Sequence, residues 1–250
     1  MSCVIDGRPT LEVPVDSIDA AMLAAPYADR LELCDDLASD GWTPSDALVR
    51  EVRAASSVHI VAMIRPRLRN SIGAMTVEGF TASPTIIDAS IREIESAATA
   101  GAHSVAIGLL SADGFVQMEA CAKLALVAHG CRLDVAFLRV FDLLTDRARG
   151  MRDISALGTK RVVTAGVLGW DASVATIAQR LEVLAADHRN AHEARVDNPV
   201  EIVPGGGVRA SNALEFMRVS PHLHASCRRA GLFDQGELTD LRQRMNRARV

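Results

Sequence analysis

Short stretches in which apolar and polar residues alternate recur along this chain, and the clearest of them lies around residue 32. Leu31 and Leu33 alternate with Glu32 and Cys34. Because successive side chains of a strand point to opposite faces, this pattern predicts a strand with its leucines on one face and its carboxylate and thiol on the other. An acidic loop of small residues follows the strand.

A helix is predicted after that loop. The sequence Thr43-Pro44-Ser45-Asp46 places proline at the first helical position and an acid where a reciprocal capping residue lies. We therefore expect Thr43 to cap the helix. Residues 28–52 then form one unit of strand, loop and helix.

The same order of strand, loop and helix is predicted eight times. Strand followed by helix, repeated eight times in a chain of this length, is typical of a closed (β/α)8 TIM-type barrel, an α/β fold. We predict one such domain over residues 1–250. An open doubly wound sheet is the alternative, but no glycine-rich dinucleotide fingerprint follows the first strand. The predicted strands cover residues 11–15, 31–34, 58–64, 104–110, 133–137, 161–165, 201–204 and 222–227.

Composition and charge narrow the range of partners. The formal charge of -4 gives no general attraction to nucleic acid or to an anionic membrane, so we expect a small molecule as the partner. Five widely spaced cysteines without a CxxC pair indicate reduced thiols, and the sequence shows neither a signal-peptide pattern nor a long apolar run. We therefore expect a cytoplasmic protein. The small residues of segment 96–102 suit either a homodimer face or packing against the barrel.

Charged residues lie near the carboxyl ends of several predicted strands, where barrels of this kind carry their chemistry. Glutamates beside arginines suit proton abstraction next to a carbonyl, as in an isomerase, an aldolase or another lyase. The alternative is a buried layer of ion pairs that only fills the barrel, since buried charges persist when they are paired. The candidate catalytic residues are Glu12, Glu32, Arg65, Arg139 and Asp142.

Three successive glycines after the seventh strand predict an anion site. Glycine lets backbone N–H groups approach an anion closely, and such barrels often hold phosphate after strands seven and eight. A phosphorylated or carboxylated ligand would fit this chemistry. The alternative is a tight turn that needs glycine only for its dihedral angles. The candidate anion-binding residues are Arg67, Gly205, Gly206, Gly207, Arg209 and Ser226.

Four blocks of sequence, in this order and spacing, resemble the CutC copper-homeostasis family. They are ADRLELC at 28–34, IRPR at 64–67, RVVTAG at 161–166 and GGGVRASN at 205–212. The resemblance spans residues 11 to about 225 and implies a cytosolic TIM-type barrel with a role in copper homeostasis. The family commonly has His-Arg-Ala-Phe-Asp at the fifth strand, where this chain has Leu138 and Val140 around Arg139.

The resemblance also implies candidate copper ligands, Cys34 and His224. Family members commonly carry a cysteine shortly after the first-strand glutamate, where this chain has Val13 and Pro14, and Cu(I) favours soft sulfur ligands. From the residues alone, a packed strand cysteine is the favoured interpretation of Cys34 beside two aspartates, and a satisfied interior histidine is the favoured interpretation of His224.

Overall fold

Eight parallel strands form a nearly closed barrel in the computed structural model, which describes residues 8–68, 73 and 75–248. From β1 to β7 each strand pairs with the next, and β1 also pairs with β8. The Ser220 hydroxyl donates to the Ile202 carbonyl at 2.6 Å, which holds the start of β8 beside β7. The predicted (β/α)8 barrel is therefore confirmed. The strands are β1 Thr10–Val15, β2 Arg30–Leu33, β3 His59–Met63, β4 Ser104–Ile107, β5 Asp134–Phe137, β6 Arg161–Thr164, β7 Glu201–Pro204 and β8 His222–His224.

Helices follow the strands and cover the outside of the barrel. They are α1 Ile18–Ala24, α2 Asp46–Ala55, α3 Pro84–Ala100, α4 Met118–Gly130, α5 Arg147–Ala156, α6 Ile177–Ala194, α7 Ala213–Phe216 and α8 Gln235–Arg247. A short hairpin of β9 Arg228–Arg229 and β10 Leu232–Phe233 lies between β8 and α8. Among the described residues, no helix is both long and apolar enough to cross a membrane.

The cap predicted for α2 is wrong by two residues. Ser45, not Thr43, accepts a hydrogen bond from the Leu48 amide at 3.2 Å and begins the helix. The Thr43 hydroxyl is used in tertiary contacts instead: it donates to Glu93 Oε2 at 2.5 Å and accepts from the Arg65 amide at 2.8 Å. These contacts fix the chain at the carboxyl end of β3.

The alternation predicted for β2 is observed, and it explains why a glutamate of this strand lies inside the barrel. Leu31 and Leu33 are fully buried in the core between the sheet and its helices, where each contributes about 1.5–3 kcal/mol by leaving water. Glu32 therefore points to the other face, into the barrel. Glu12 on β1 and His224 on β8 face the same interior, because they are direct neighbours in the register of the two strands.

Candidate active site

The carboxyl ends of the strands enclose a cavity of about 290 Å³. This volume is near the lower end of the range for small-molecule sites, so the cavity suits a small metabolite. Charged and apolar side chains both line it. The sequence-predicted residues that line it are Glu32, Arg65, Arg139, Gly206, Gly207, His224 and Ser226.

The other sequence-predicted residues lie outside this lining. Arg67 is on the surface, where it forms ion pairs with Asp36 at 2.5 Å and Asp35 at 3.6 Å. Arg209 lines a separate surface depression. The residues outside the lining are Glu12, Cys34, Arg67, Asp142, Gly205 and Arg209.

Glu12, His224 and Glu32 form a chain of charged groups inside the barrel. Nδ1 of His224 lies 3.0 Å from Glu12 Oε1, and its Nε2 lies 3.9 Å from Glu32 Oε2. The second oxygen of Glu12 accepts from Arg30 Nε at 3.1 Å and from Arg161 Nη1 at 3.5 Å. In this row of three groups, Glu12 is therefore the one held by buried arginines, and Glu32 lies at the end that lines the cavity.

The three groups titrate differently because their surroundings differ. Burial would raise the pKa of Glu12, but the hydrogen bond from His224 and the charges of Arg30 and Arg161 hold that pKa well below its ordinary value. Burial raises the pKa of Glu32 to about 7, and the Glu12 charge adds to this while His224 opposes it. Burial would lower the pKa of His224, but the hydrogen bond to Glu12 and the charges of both glutamates raise it. At neutral pH Glu32, whose pKa is about 7, therefore exchanges its proton.

Arg65, just after β3, is buried between two aromatic rings. Its Cζ lies 4.2 Å from the ring centroid of Trp42 and 4.8 Å from that of Phe80. Its Nη1 donates to the Gly41 carbonyl at 2.9 Å and its Nη2 to the Gly73 carbonyl at 3.4 Å, while no carboxylate of the described residues is within ion-pair distance. Burial lowers the pKa of Arg65 to about 10, so it remains a cation at neutral pH. The Asp40 charge acts on Arg65 without forming an ion pair with it. A buried cation that pairs with no carboxylate of the described residues favours an anionic ligand.

Arg139, just after β5, brings a second guanidinium to the cavity. Its Cζ lies 4.1 Å from the ring centroid of Trp170, and its Nη2 donates to the Trp170 carbonyl. Its Nε donates to Asp142 Oδ2 at 3.0 Å. These contacts leave its Nη1 facing the glycine loop: a Cβ built on Gly206 would lie 3.4 Å from it.

Asp142 is a positioning residue, because its oxygens are already occupied. Besides Arg139, it accepts from Arg147 Nη1 at 3.1 Å, from the Thr164 hydroxyl at 2.6 Å and from the Ala165 amide at 2.8 Å. Arg147 in turn holds Asp187 of α6 at 2.5 Å. Asp142 thus fixes Arg139 and connects the cavity wall to two helices.

Two backbone amides of the glycine loop after β7 donate no hydrogen bond to any described residue. Gly206 and Gly207 have φ values of +64° and +82°, and neither backbone N–H donates a hydrogen bond within the described part of the chain. Below them, Arg180 of α6 donates to the carbonyls of Gly205 at 2.7 Å and Gly206 at 2.8 Å. The turn therefore needs glycine for its dihedral angles, as a tight turn does. Its Gly206 and Gly207 amides are also available to bind an anion.

Sequence reasoning missed several charged residues around the site. Arg30 shares strand parity with Glu32, and Arg161 opens the sixth predicted strand, so period-two alternation was a usable signal for both. Arg147 and Arg180 lie on helices, where a charged residue is ordinarily solvated. Their inward direction depends on which helix face packs against the barrel.

The sequence profile of the CutC family matches residues 10–228 of the chain. The chain belongs to the CutC family. It is 32% identical over 219 residues to a family protein CutC of Vibrio atlanticus, covering 86% of this chain and 81% of that protein. It is 30% identical over 228 residues to the copper homeostasis protein CutC homolog of Homo sapiens, covering 90% of this chain and 75% of the human protein.

Solved structures show the same fold. A CutC crystal structure from Streptococcus agalactiae matches with a TM-score of 0.72 and 23% identity, over 87% of this chain and 98% of that chain. A 3-hexulose-6-phosphate synthase matches with a TM-score of 0.61 and 18% identity, over 94% and 99%. At these identities the likeness concerns the barrel alone.

The donor groups of this CutC chain do not fit a copper centre. Burial and the charges of Glu32 and Asp16 raise the pKa of Cys34 well above its ordinary value, so the residue is a neutral thiol. Nδ1 of His224 is hydrogen-bonded to Glu12 and its Nε2 faces Glu32, and the raised pKa of His224 favours the protonated form, which has no free lone pair. Among the described residues, no group of three or more histidine, cysteine or acidic side chains is arranged to hold a metal ion. Cu(I) prefers thiolate or neutral imidazole ligands.

Proposed function

We propose that this CutC protein binds a small anionic metabolite at the mouth of its barrel and moves a proton on it through Glu32. One observation carries the proposal: the cavity is lined both by a carboxyl group whose pKa is about 7 and by a buried guanidinium that forms no ion pair within the described part of the chain. A general acid or base works best when its pKa is near the working pH. The two groups together favour acid–base chemistry on an anion.

The residues suit proton transfer next to a carbonyl. Ionised Glu32 would take the proton from the carbon beside the carbonyl, and the electron pair would move onto the carbonyl oxygen. Arg65 or Arg139 would stabilise the oxyanion, and the Gly206 and Gly207 amides would hold a carboxylate or phosphate. Neutral Glu32 would then return the proton to another atom, as an isomerase or lyase requires.

A thermal-shift screen with an Arg65→Met variant tests this proposal. We expect a 2-oxo acid or phosphate ester near 100 times its Kd to stabilise the wild type by about 2.7 kcal/mol, or about 5–10 °C. Arg65→Met should lose this shift, because it removes the buried cation. Arg92→Met, at an exposed position on α3, should keep it. A wild type that no such anion stabilises, or an Arg65→Met variant that responds like the wild type, would refute the proposal.

The name of the human relative also suggests a role in copper homeostasis. The donor set described above supports no direct copper site, so any such role for this chain would act through another molecule. We expect a Cu(I)-selective chelator probe to keep its metal when titrated with the reduced protein. Transfer of copper to the wild type, lost in Cys34→Ser, would contradict this expectation.

A further inference from the structure

The mouth cavity is lined by both charged and apolar side chains. The charged and polar groups are Glu32, Asp40, Arg65, Arg139, Gly206, Gly207, His224, Ser226 and Arg228. Four hydrocarbon or thioether side chains lie among them at the ends of β3, β5 and β6. We call these four residues the apolar wall: Met63, Leu138, Val140 and Val163.

The apolar wall is tightly packed. A Cβ built on Gly108, just after β4, would lie 2.4 Å from Val140 Cγ1 and 3.3 Å from Leu138 Cβ. A larger residue at this position would therefore clash with the side chains of Val140 and Leu138. A Cβ built on Gly205 would lie 2.9 Å from Val163 Cγ1. Leu138, Val140 and Val163 therefore pack directly against glycine backbone, which restricts their movement.

A ligand in this cavity meets the charged and polar groups and also the apolar wall, whose four side chains offer it no hydrogen bond. A sugar phosphate carries hydroxyl groups along its whole length, and hydroxyls against the wall would lose water without gaining a partner. An apolar body would instead exchange water for contact with the wall. Phe80 and Trp170 also line the cavity and add aromatic surface.

Building on the proposed function, we infer that the ligand is an organic anion with an apolar body, and not a polyhydroxylated sugar phosphate. Its anionic head lies among Arg139, Gly206 and Gly207, and its body lies against the apolar wall. The head is a carboxylate or a phosphate, since the same donors serve both.

Isothermal titration calorimetry with two matched pairs of probes tests the inference. Phenylacetate is compared with D-glycerate, and phenyl phosphate with ribose 5-phosphate, so that each pair keeps its head group and changes its body. We expect the aromatic member of at least one pair to bind about tenfold or more tightly than its polar partner. The pair that binds identifies the head group.

Substitutions in the wall provide the second arm. Val163→Thr keeps the side-chain shape and adds a hydroxyl, and Leu138→Asn makes a larger change. Each should weaken binding of the aromatic probe about fivefold or more. Leu126→Asn, at an exposed position on α4, is the matched control and should leave binding unchanged. Val163→Thr keeps the test valid if Leu138→Asn fails to fold.

The outcomes separate this inference from the proposed function. If at least one anion binds but neither aromatic probe binds more tightly than its polar partner, the inference is wrong while the proposed anion site stands. If Val163→Thr and Leu138→Asn bind the aromatic probe like the wild type, the inference is also wrong. If none of the four anions binds, both the inference and the proposed function fail.

Discussion

Replacing Asp142 with asparagine should destabilise the protein by about 3–5 kcal/mol, because an amide would leave Arg139 without its carboxylate partner and remove one of the two carboxylates that pair with the buried Arg147. Asp142 is fully buried and holds Arg139 at 3.0 Å and Arg147 at 3.1 Å. For a chain of 250 residues, this loss lowers Tm by about 6–20 °C. Differential scanning calorimetry of Asp142→Asn at pH 7 measures it.

Asp88→Asn is the matched control for this prediction. Asp88 is exposed on α3, so the same chemical change should alter stability by about 0.5 kcal/mol or less. If Asp142→Asn melts within 2 °C of the wild type, then Asp142 does not hold the two arginines as described. Its assignment as a positioning residue would then be wrong.

Glu32→Gln should be more stable than the wild type at pH 8 and within about 1 kcal/mol of it at pH 5. The pKa of Glu32 is raised from 4.5 to about 7 on folding. Between these values the folded protein keeps a proton that the unfolded chain releases, so stability falls as pH rises through this window. Above pH 7 the full cost of about 3 kcal/mol is present, and glutamine does not incur it.

Thermal unfolding of both proteins at pH 5 and pH 8 checks this prediction. A gain of about 6–12 °C for Glu32→Gln at pH 8 is expected. Glu95→Gln, at an exposed position on α3, should change Tm little at either pH. A Glu32→Gln variant that is less stable than the wild type at pH 8 would mean that ionised Glu32 stabilises the fold, as in a purely structural ion-pair layer.

The strands and their inward parity were predictable because both depend on local alternation. Leu31 and Leu33 against Glu32 predicted which face of β2 enters the barrel, and the structure places them so. The convergence of Glu32, Arg65 and Gly206 followed from the barrel, since parallel strands bring their carboxyl ends together.

Other features depend on tertiary contacts that local patterns do not carry. The Thr43 hydroxyl was predicted to cap α2, but it binds Glu93 fifty residues away. The last predicted strand, 222–227, ends as β8 at His224, and a hairpin follows it. Arg180 reaches the glycine loop from the first turn of α6, a direction that only the packing of this helix determines.

The sequence also left open whether its charged residues form a ligand site or a filler layer, that is, a buried layer of ion pairs that only fills the barrel. The structure shows features of both. Glu12 and Asp142 are saturated with protein partners, as a filler layer requires. Glu32 and Arg65 line the cavity, and no carboxylate of the described residues is paired with Arg65. A local pattern cannot separate the two sets, because both have the same residue types and strand positions.

The claim on which the proposed chemistry depends is that the fold holds one carboxyl group ready to exchange a proton at neutral pH. A ¹³C NMR titration of the glutamate side-chain carboxyls measures this directly, with Glu32 assigned by the signal that Glu32→Gln lacks. We predict a midpoint near pH 7 for Glu32. A midpoint near the ordinary value of 4.5 would contradict the account.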